Sequence, residues 1–172
     1  IHNSHTYRRR HDISKNLCTF ASLRTDQRFL HSLIEADMKR FSLQTRLYSG
    51  AGSLEVLKRF RNKHIWIVCD GFLASSPLIE LLRKAIPADN RVSVFSNITP
   101  DPTIATVVEG IAQMHSLQPQ VVIGFGGGSA LDAAKAIVWF SKQQGVNIET
   151  CVAIPTTSGT GSEVTSACVI SD

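Results

Sequence analysis

From Met38 onward, apolar residues fall into two alternating patterns. Short unbroken runs are separated by stretches in which apolar positions recur every three or four residues. The first run, His64-Ile65-Trp66-Ile67-Val68-Cys69, ends at Asp70-Gly71, and Arg91 to Phe95, Gln120 to Phe125 and Thr150 to Ile154 repeat the pattern. Runs of this length bounded by turn residues suit strands buried on both faces of a parallel sheet. Phe41 to Tyr48 alternates like a further strand and leads into the turn Ser49-Gly50-Ala51-Gly52.

The intervening stretches read as helices. Ser53 is placed to cap a short one reaching about Phe60. Ser76-Pro77, a cap followed by proline in the first turn, opens another to about Ile86. Asp101-Pro102 repeats that signature and predicts a helix to about Ser116, with Ile104, Val107, Val108, Ile111 and Met114 on its apolar face. A last helix is expected from Ser129 to about Lys142. Strands alternating with helices imply right-handed crossovers. The predicted fold is therefore α/β, a Rossmann-like parallel sheet with flanking helices.

Residues 1–37 differ in character. They hold four of the six histidines and a triple arginine, and their only periodic feature is a weak helical one near Arg28 to Ala36. The spacing of His2, His5, His11 and His31 fits no familiar metal-ligand set. Met38 reads as an original start, with an unrelated leader over 1–37 and an α/β domain over 38–172.

Composition narrows the function classes. The 172 residues are 43% hydrophobic and 19% charged, a globular balance, and no apolar run approaches the roughly 20 residues that span a bilayer. Nothing near residue 1 reads as a signal peptide, so a cytoplasmic protein is expected. The net charge of +4 splits evenly between 1–37 and 38–172, with no basic stripe for nucleic acid. Cys18, Cys69, Cys151 and Cys168 form no CxxC, and Cys69 and Cys151 lie in apolar runs, as buried free thiols do.

The candidate chemistry sits after the third run. Val121 to Phe125 leads into Gly126-Gly127-Gly128 and then Ser129 to Lys135. Glycines let a backbone approach a ligand closely, and a helix beginning there aims free N–H groups and a partial positive charge at an anion. Ser129 with Asp132 has the spacing of a capping box. The dinucleotide fingerprint GxGxxG is not met, because position 129 is serine and the loop follows the third strand rather than the first. Asp70, at the carboxyl end of the first strand, is placed either to accept from both ribose hydroxyls of an adenosine and repel a 2′-phosphate, or simply to hold the turn at Gly71. Pro155-Thr156-Thr157-Ser158-Gly159-Thr160-Gly161-Ser162-Glu163-Val164-Thr165 follows the fourth strand at the same sheet edge and offers hydroxyls and flexible backbone.

Gly126 to Lys135 followed by Pro155 to Thr165 resembles the paired signatures of the iron-containing alcohol dehydrogenase family, over about residues 40–172. The resemblance implies the first half of a two-domain, dehydroquinate-synthase-like fold, and NAD(H) as cofactor. It implies that Asp70 contacts the adenosine ribose and that Gly127, Gly128, Ser129 and Asp132 hold the pyrophosphate region. Thr156, Thr157 and Thr165 would line the path from adenine to nicotinamide, and Asp101 would stand near the adenosine end. Phe41 to Tyr48, Thr99 to Thr103 and Cys151 to Asp172 look most similar to members that reduce propionaldehyde to 1-propanol in propanediol-utilisation microcompartments. Those members imply an aldehyde or alcohol substrate, a homo-oligomer, and shell or enzyme partners. The family's iron or other divalent metal is held by one aspartate and three histidines beyond the threonine-rich loop, so the resemblance places no metal ligand or catalytic residue in this chain and implies that the chain alone is inactive. Two other readings stand beside it: a non-catalytic assembly piece using 1–37 as an interaction tail, and the cofactor domain of a glycerol or sugar-phosphate dehydrogenase relative.

Overall fold

The stretch from His64 offers water almost no polar side chain, and strand β1 (His64–Asp70) is buried along its first six residues. The computed structural model describes residues 45–172. β1 pairs in parallel with β2 (Arg91–Ile98) on one side and β3 (Val121–Gly126) on the other, and β4 (Thr150–Pro155) pairs in parallel with β3. The order β2-β1-β3-β4 means the chain steps outward from β1 to β2, then crosses back to β3. The carboxyl ends of β1 and β3 are thus neighbours where the winding changes direction, the place where open α/β sheets leave a crevice.

Helices cover both faces. Trp66, Val68 and Val122 pack with Val107, Met114, Ala133 and Ile137 from α3 (Ile104–Leu117) and α4 (Gly128–Gln143). Ile65, Ile67, Ile123 and Phe125 pack on the other face with Leu57, from the 3-10 helix Ser53–Arg59, and with Ile79 and Leu82 of α2 (Pro77–Ala85). A four-residue helix α1 (Gly71–Ala74) follows β1 directly. The α/β architecture is the expected one. Gly110 lets α3 and α4 cross closely, because a Cβ there would lie 2.3 Å from Ile137 Cδ1.

Several local expectations are corrected. Residues 45–48 form no strand, and the rest of Phe41 to Tyr48, like residues 1–37 with the helix expected near Arg28, lies outside the described residues. β2 runs on to Ile98 and is mostly half-exposed, while β4 alternates between half-buried and exposed positions. Both are outer strands of the described sheet, and a short apolar run does not by itself separate inner from outer strands. For the same reason Cys151, on the open side of β4, is exposed, while Cys69 is buried. Burial, then the neighbouring Asp70 carboxylate, pushes the Cys69 thiol up to about 11, with Arg83 opposing, so Cys69 is inert.

Two caps also move. Gly52, at φ +83, takes the cap position of the 3-10 helix and Ser53 is its first residue. α3 is capped by Thr103, whose Oγ1 accepts the Thr106 N–H at 3.3 Å, so Pro102 precedes the cap and Asp101 stands outside the helix at φ +53. The buried face of α3 is accordingly Val107, Gly110 and Met114, with Ile104 and Val108 exposed. Ser76 caps α2 as expected, its Oγ accepting the Leu78 N–H at 3.2 Å.

His64 is a buried polar exception in β1. Its Nδ1 lies 3.0 Å from the Leu117 carbonyl and its Nε2 2.8 Å from Ser93 Oγ. A carbonyl only accepts, so Nδ1 carries the proton of the neutral ring and Nε2 accepts from the serine. Burial lowers its pKa below 6.5, the Leu117 bond opposes this, and Arg91 adds to the lowering. The unfolded chain therefore takes up this proton first on acidification. Thermal stability should hold above pH 6.5 and fall as the pH drops from there toward the depressed folded value. Melting curves across that window should show a shallower fall for His64→Gln; an equal fall would remove His64 as the cause.

Candidate functional site

The turn from β3 into α4 is built by glycine geometry. Gly126 sits at φ +148, and a Cβ there would lie 2.8 Å from Ala130 Cβ. Gly127 is the N-cap in an extended conformation, with no side-chain cap hydrogen bond. The Leu131 N–H bonds the Gly127 carbonyl at 3.1 Å. The N–H groups of Gly128, Ser129 and Ala130 thus precede the helical ladder. They stand at the positive end of a 16-residue helix, an arrangement suited to an anion. The expected Ser129–Asp132 capping box is not formed. The helix starts one residue early, at Gly128, so Ser129 is already inside its first turn.

Asp70 serves the turn and faces the glycines at once. Its Oδ1 caps α1 by accepting the Leu73 N–H at 2.8 Å. Its Oδ2 points toward the glycine loop, 3.7 Å from where a Gly126 Cβ would be. The threonine-rich segment reaches the same place from β4. The Thr156 N–H donates to the Gly126 carbonyl at 2.9 Å. Thr157 lies over Gly127 and Thr160 over Gly128, at 3.4 Å and 3.3 Å from the points where Cβ atoms would stand. Side chains at 127 and 128 would fill this cradle.

Beside the helix mouth lies a cleft of about 310 Å³. It brings together Asp101, Gly128, Ser129, Asp132 and Thr165. Asp70, Gly127, Thr156 and Thr157 are not in its lining; they cluster at the strand tips next to it. The expected residues thus occupy two adjoining places joined through Gly127 and Gly128. Asp132 reaches across rather than into open space. Its carboxylate accepts from the Ser162 hydroxyl and from the Val169 N–H at 3.0 Å, and it pairs with Lys135 Nζ at 2.8 Å. Sequence reading gave Lys135, Thr160 and Ser162 no separate role. The three-residue step from Asp132 to Lys135, which puts both on one helix face, was the available signal for the first.

The donors at the glycine turn are amide N–H groups and hydroxyls, which suit a diphosphate and not a divalent cation, whose ligands are oxygen or nitrogen acceptors. Among the described residues, no three His, Cys, Asp or Glu side chains are grouped to hold a metal ion. The described residues therefore supply no ligand set for a divalent metal. No helix among them is long and apolar enough to cross a membrane.

Comparison with known proteins gives these features a context. Residues 44–172 match the family described as iron-containing alcohol dehydrogenase. The chain is 84% identical over 135 residues to 1-propanol dehydrogenase PduQ of Salmonella typhimurium, covering 78% of this chain and 36% of that protein. Among solved structures, an iron-containing alcohol dehydrogenase from Thermococcus thioreducens superposes with a TM-score of 0.65 at 24% identity, over 73% of this chain and 39% of that one. Sulfoacetaldehyde reductase from Bifidobacterium kashiwanohense, solved with NAD+, gives a TM-score of 0.61 at 23% identity, over 75% and 39%. Both structural likenesses speak to the fold. The chain spans about a third of the length of the curated relative it matches at 84% identity.

Proposed function

The chain belongs to the iron-containing alcohol dehydrogenase family, and on that premise we propose that residues 45–172 bind NAD(H) as the cofactor portion of an enzyme that reduces propionaldehyde to 1-propanol. The observation that carries this reading is the glycine-lined mouth of α4, beside Asp70, at the reversal between β1 and β3. In this reading the N–H groups of Gly128 and Ser129 hold the diphosphate, and Gly127, lacking a Cβ, lets Thr157 close against the turn that presents them. Asp70 accepts from the adenosine ribose through the oxygen its cap leaves free. Asp101 borders the nucleotide, Asp132 stands in the cleft wall, and Thr156, Thr157 and Thr165 line the path of the nucleotide. Bound NADH supplies the hydride. The substrate assignment is supported by the 84% identity to the Salmonella 1-propanol dehydrogenase.

The same likeness supports a place among propanediol-utilisation enzymes in a cytoplasmic microcompartment, with shell or enzyme partners. Exposed Ile104, Val108, Trp139 and Phe140 favour an oligomer or a covering partner. In this reading residues 45–172 by themselves bind nucleotide without turnover, since no three His, Cys, Asp or Glu side chains among them are grouped to hold a metal ion. Aldehyde-dependent NADH oxidation by the purified chain that survives chelation would overturn that expectation.

The nucleotide site is tested by Ser129→Asp. A carboxylate in the first turn suits the helix dipole, so melting temperature should hold or rise. The same charge opposes a diphosphate, so NADH affinity should fall on the order of tenfold, read by fluorescence titration. Unchanged affinity would remove the α4 mouth as the diphosphate site.

A further inference from the structure

We propose that Asp132 and Lys135 are a positioning pair that straps residues 160–171 over the mouth of α4, and that neither touches the dinucleotide. The inference rests on the nucleotide site proposed above. Lysine carries three N–H protons and no acceptor. Four oxygens already surround Lys135 Nζ: Asp132 Oδ1 at 2.8 Å, the Ser162 carbonyl at 3.0 Å, the Thr165 carbonyl at 3.5 Å and the Ala167 carbonyl. Its donors are saturated, and none is left for a phosphate. Asp132 is equally committed, with Oδ1 shared by the ammonium and the Ser162 hydroxyl and Oδ2 accepting the Val169 N–H at 3.0 Å. The side chains keep only 22% and 15% of their surface, so the pair is partly sheltered from solvent screening.

The segment they hold has little structure of its own. Past the end of β4 at Pro155 it forms turns and bends, with a single bridge at Ser171. It is tied at the start by the Thr156 N–H to the Gly126 carbonyl at 2.9 Å. At the far end the Ser171 N–H reaches the Pro102 carbonyl at 2.9 Å, and the Ile104 N–H reaches the Ser171 carbonyl at 3.0 Å. Between those ties, Asp132 and Lys135 gather groups from residues 162, 165, 167 and 169, and so fix where Thr160 and Thr165 stand in the cleft. The pair also has an electrostatic consequence. A lone carboxylate in the cleft wall would oppose a diphosphate, and the Lys135 ammonium neutralises it.

The test compares the 172-residue chain with Lys135→Met, Asp132→Asn and the double variant. Hydrogen exchange is read over 160–171 without nucleotide, and NADH titrations are run at several salt concentrations. Lys135→Met should speed exchange of the strap about tenfold while the sheet stays protected. It should weaken NADH on the order of tenfold, and the double variant, in which no lone carboxylate remains, should bind NADH better than Lys135→Met alone and keep the salt dependence of the unsubstituted chain. If Lys135→Met does not fold, Lys135→Gln carries the same comparison. Exchange unchanged by the variant, or a double variant no better than the single, overturns the inference. A salt dependence flattened in the double variant, whose net charge equals that of the native pair, also overturns it, because Lys135 would then contact phosphate directly. Failure of the wild-type chain to bind NADH would sink the site reading instead, while the exchange arm still decides the strap.

Discussion

Gly126→Ala is expected to lower stability by about 3 kcal/mol and to abolish measurable NADH binding. Two costs combine at this residue. The φ of +148 lies where side chains other than hydrogen are strained, and the added Cβ would stand 2.8 Å from Ala130 Cβ and 3.3 Å from Leu73 Cδ1. Ala130 is in the first turn of α4 and Leu73 is in α1, so relief requires prying both elements from the strand tip. The N–H groups of Gly128 and Ser129 and the Asp70 carboxylate would move with them. For a chain of this size, about 3 kcal/mol should appear as a fall in melting temperature of roughly 10 °C. Gly50→Ala is the control. Gly50 also has positive φ, +98, but nothing lies within 4 Å of its missing Cβ, so only the backbone strain remains, about 1 kcal/mol. Equal losses in the two variants would show that crowding at the strand tip is not what Gly126 avoids.

The proposed site lacks the usual dinucleotide fingerprint for a topological reason. The fingerprint's glycines follow the first strand of a sheet whose winding reverses there. Here the reversal lies between β1 and β3, and the glycines follow β3 while the acidic residue follows β1. In the proposed site the two halves of the recognition would be split between neighbouring strand ends, so the spacing along the chain differs from that of the fingerprint.

β1 and β3 were legible because runs such as Ile65 to Cys69 leave no face for water. The glycine turn was legible because three consecutive glycines between a strand and a helix have few other uses. The outer position of β2 and β4 was not, since Val92 to Phe95 and Cys151 to Ile154 are as apolar as inner strands and the strand order is a long-range property. The start of α3 was misread because Asp101 and Thr103 are both good caps and only tertiary contacts chose between them. The capping box at Ser129 failed for a related reason. The sequence offered a side-chain cap, whereas Gly127 begins the helix with none and leaves the N–H groups open. For Lys135 only the pairing with Asp132 left a trace in the sequence, because its other partners are backbone carbonyls about thirty residues away, which carry no residue-type signal.

Asp70→Ser is expected to shift the preference between NADH and NADPH on the order of a hundredfold toward NADPH. The choice of serine separates the two jobs of the side chain. Serine is a good N-cap and can still accept the Leu73 N–H, which Asp70 Oδ1 takes at 2.8 Å, so α1 should persist and melting should shift by less than about 0.5 kcal/mol. What serine cannot supply is the second oxygen, the one facing Gly126, or its charge. Losing a charged acceptor to ribose hydroxyls costs about 1.5–3 kcal/mol, so NADH should weaken by roughly ten- to a hundredfold. A 2′-phosphate, repelled by the carboxylate in the native chain, should bind better once that charge is gone. The Cys69 thiol stays unreactive in the variant, because burial rather than Asp70 is the larger cause of its raised pKa. Parallel fluorescence titrations with the two cofactors read the shift directly. If both affinities fell together, or neither moved, Asp70 would be a cap and nothing more, and the ribose end of the nucleotide would have to be sought elsewhere along the β1–β3 crevice.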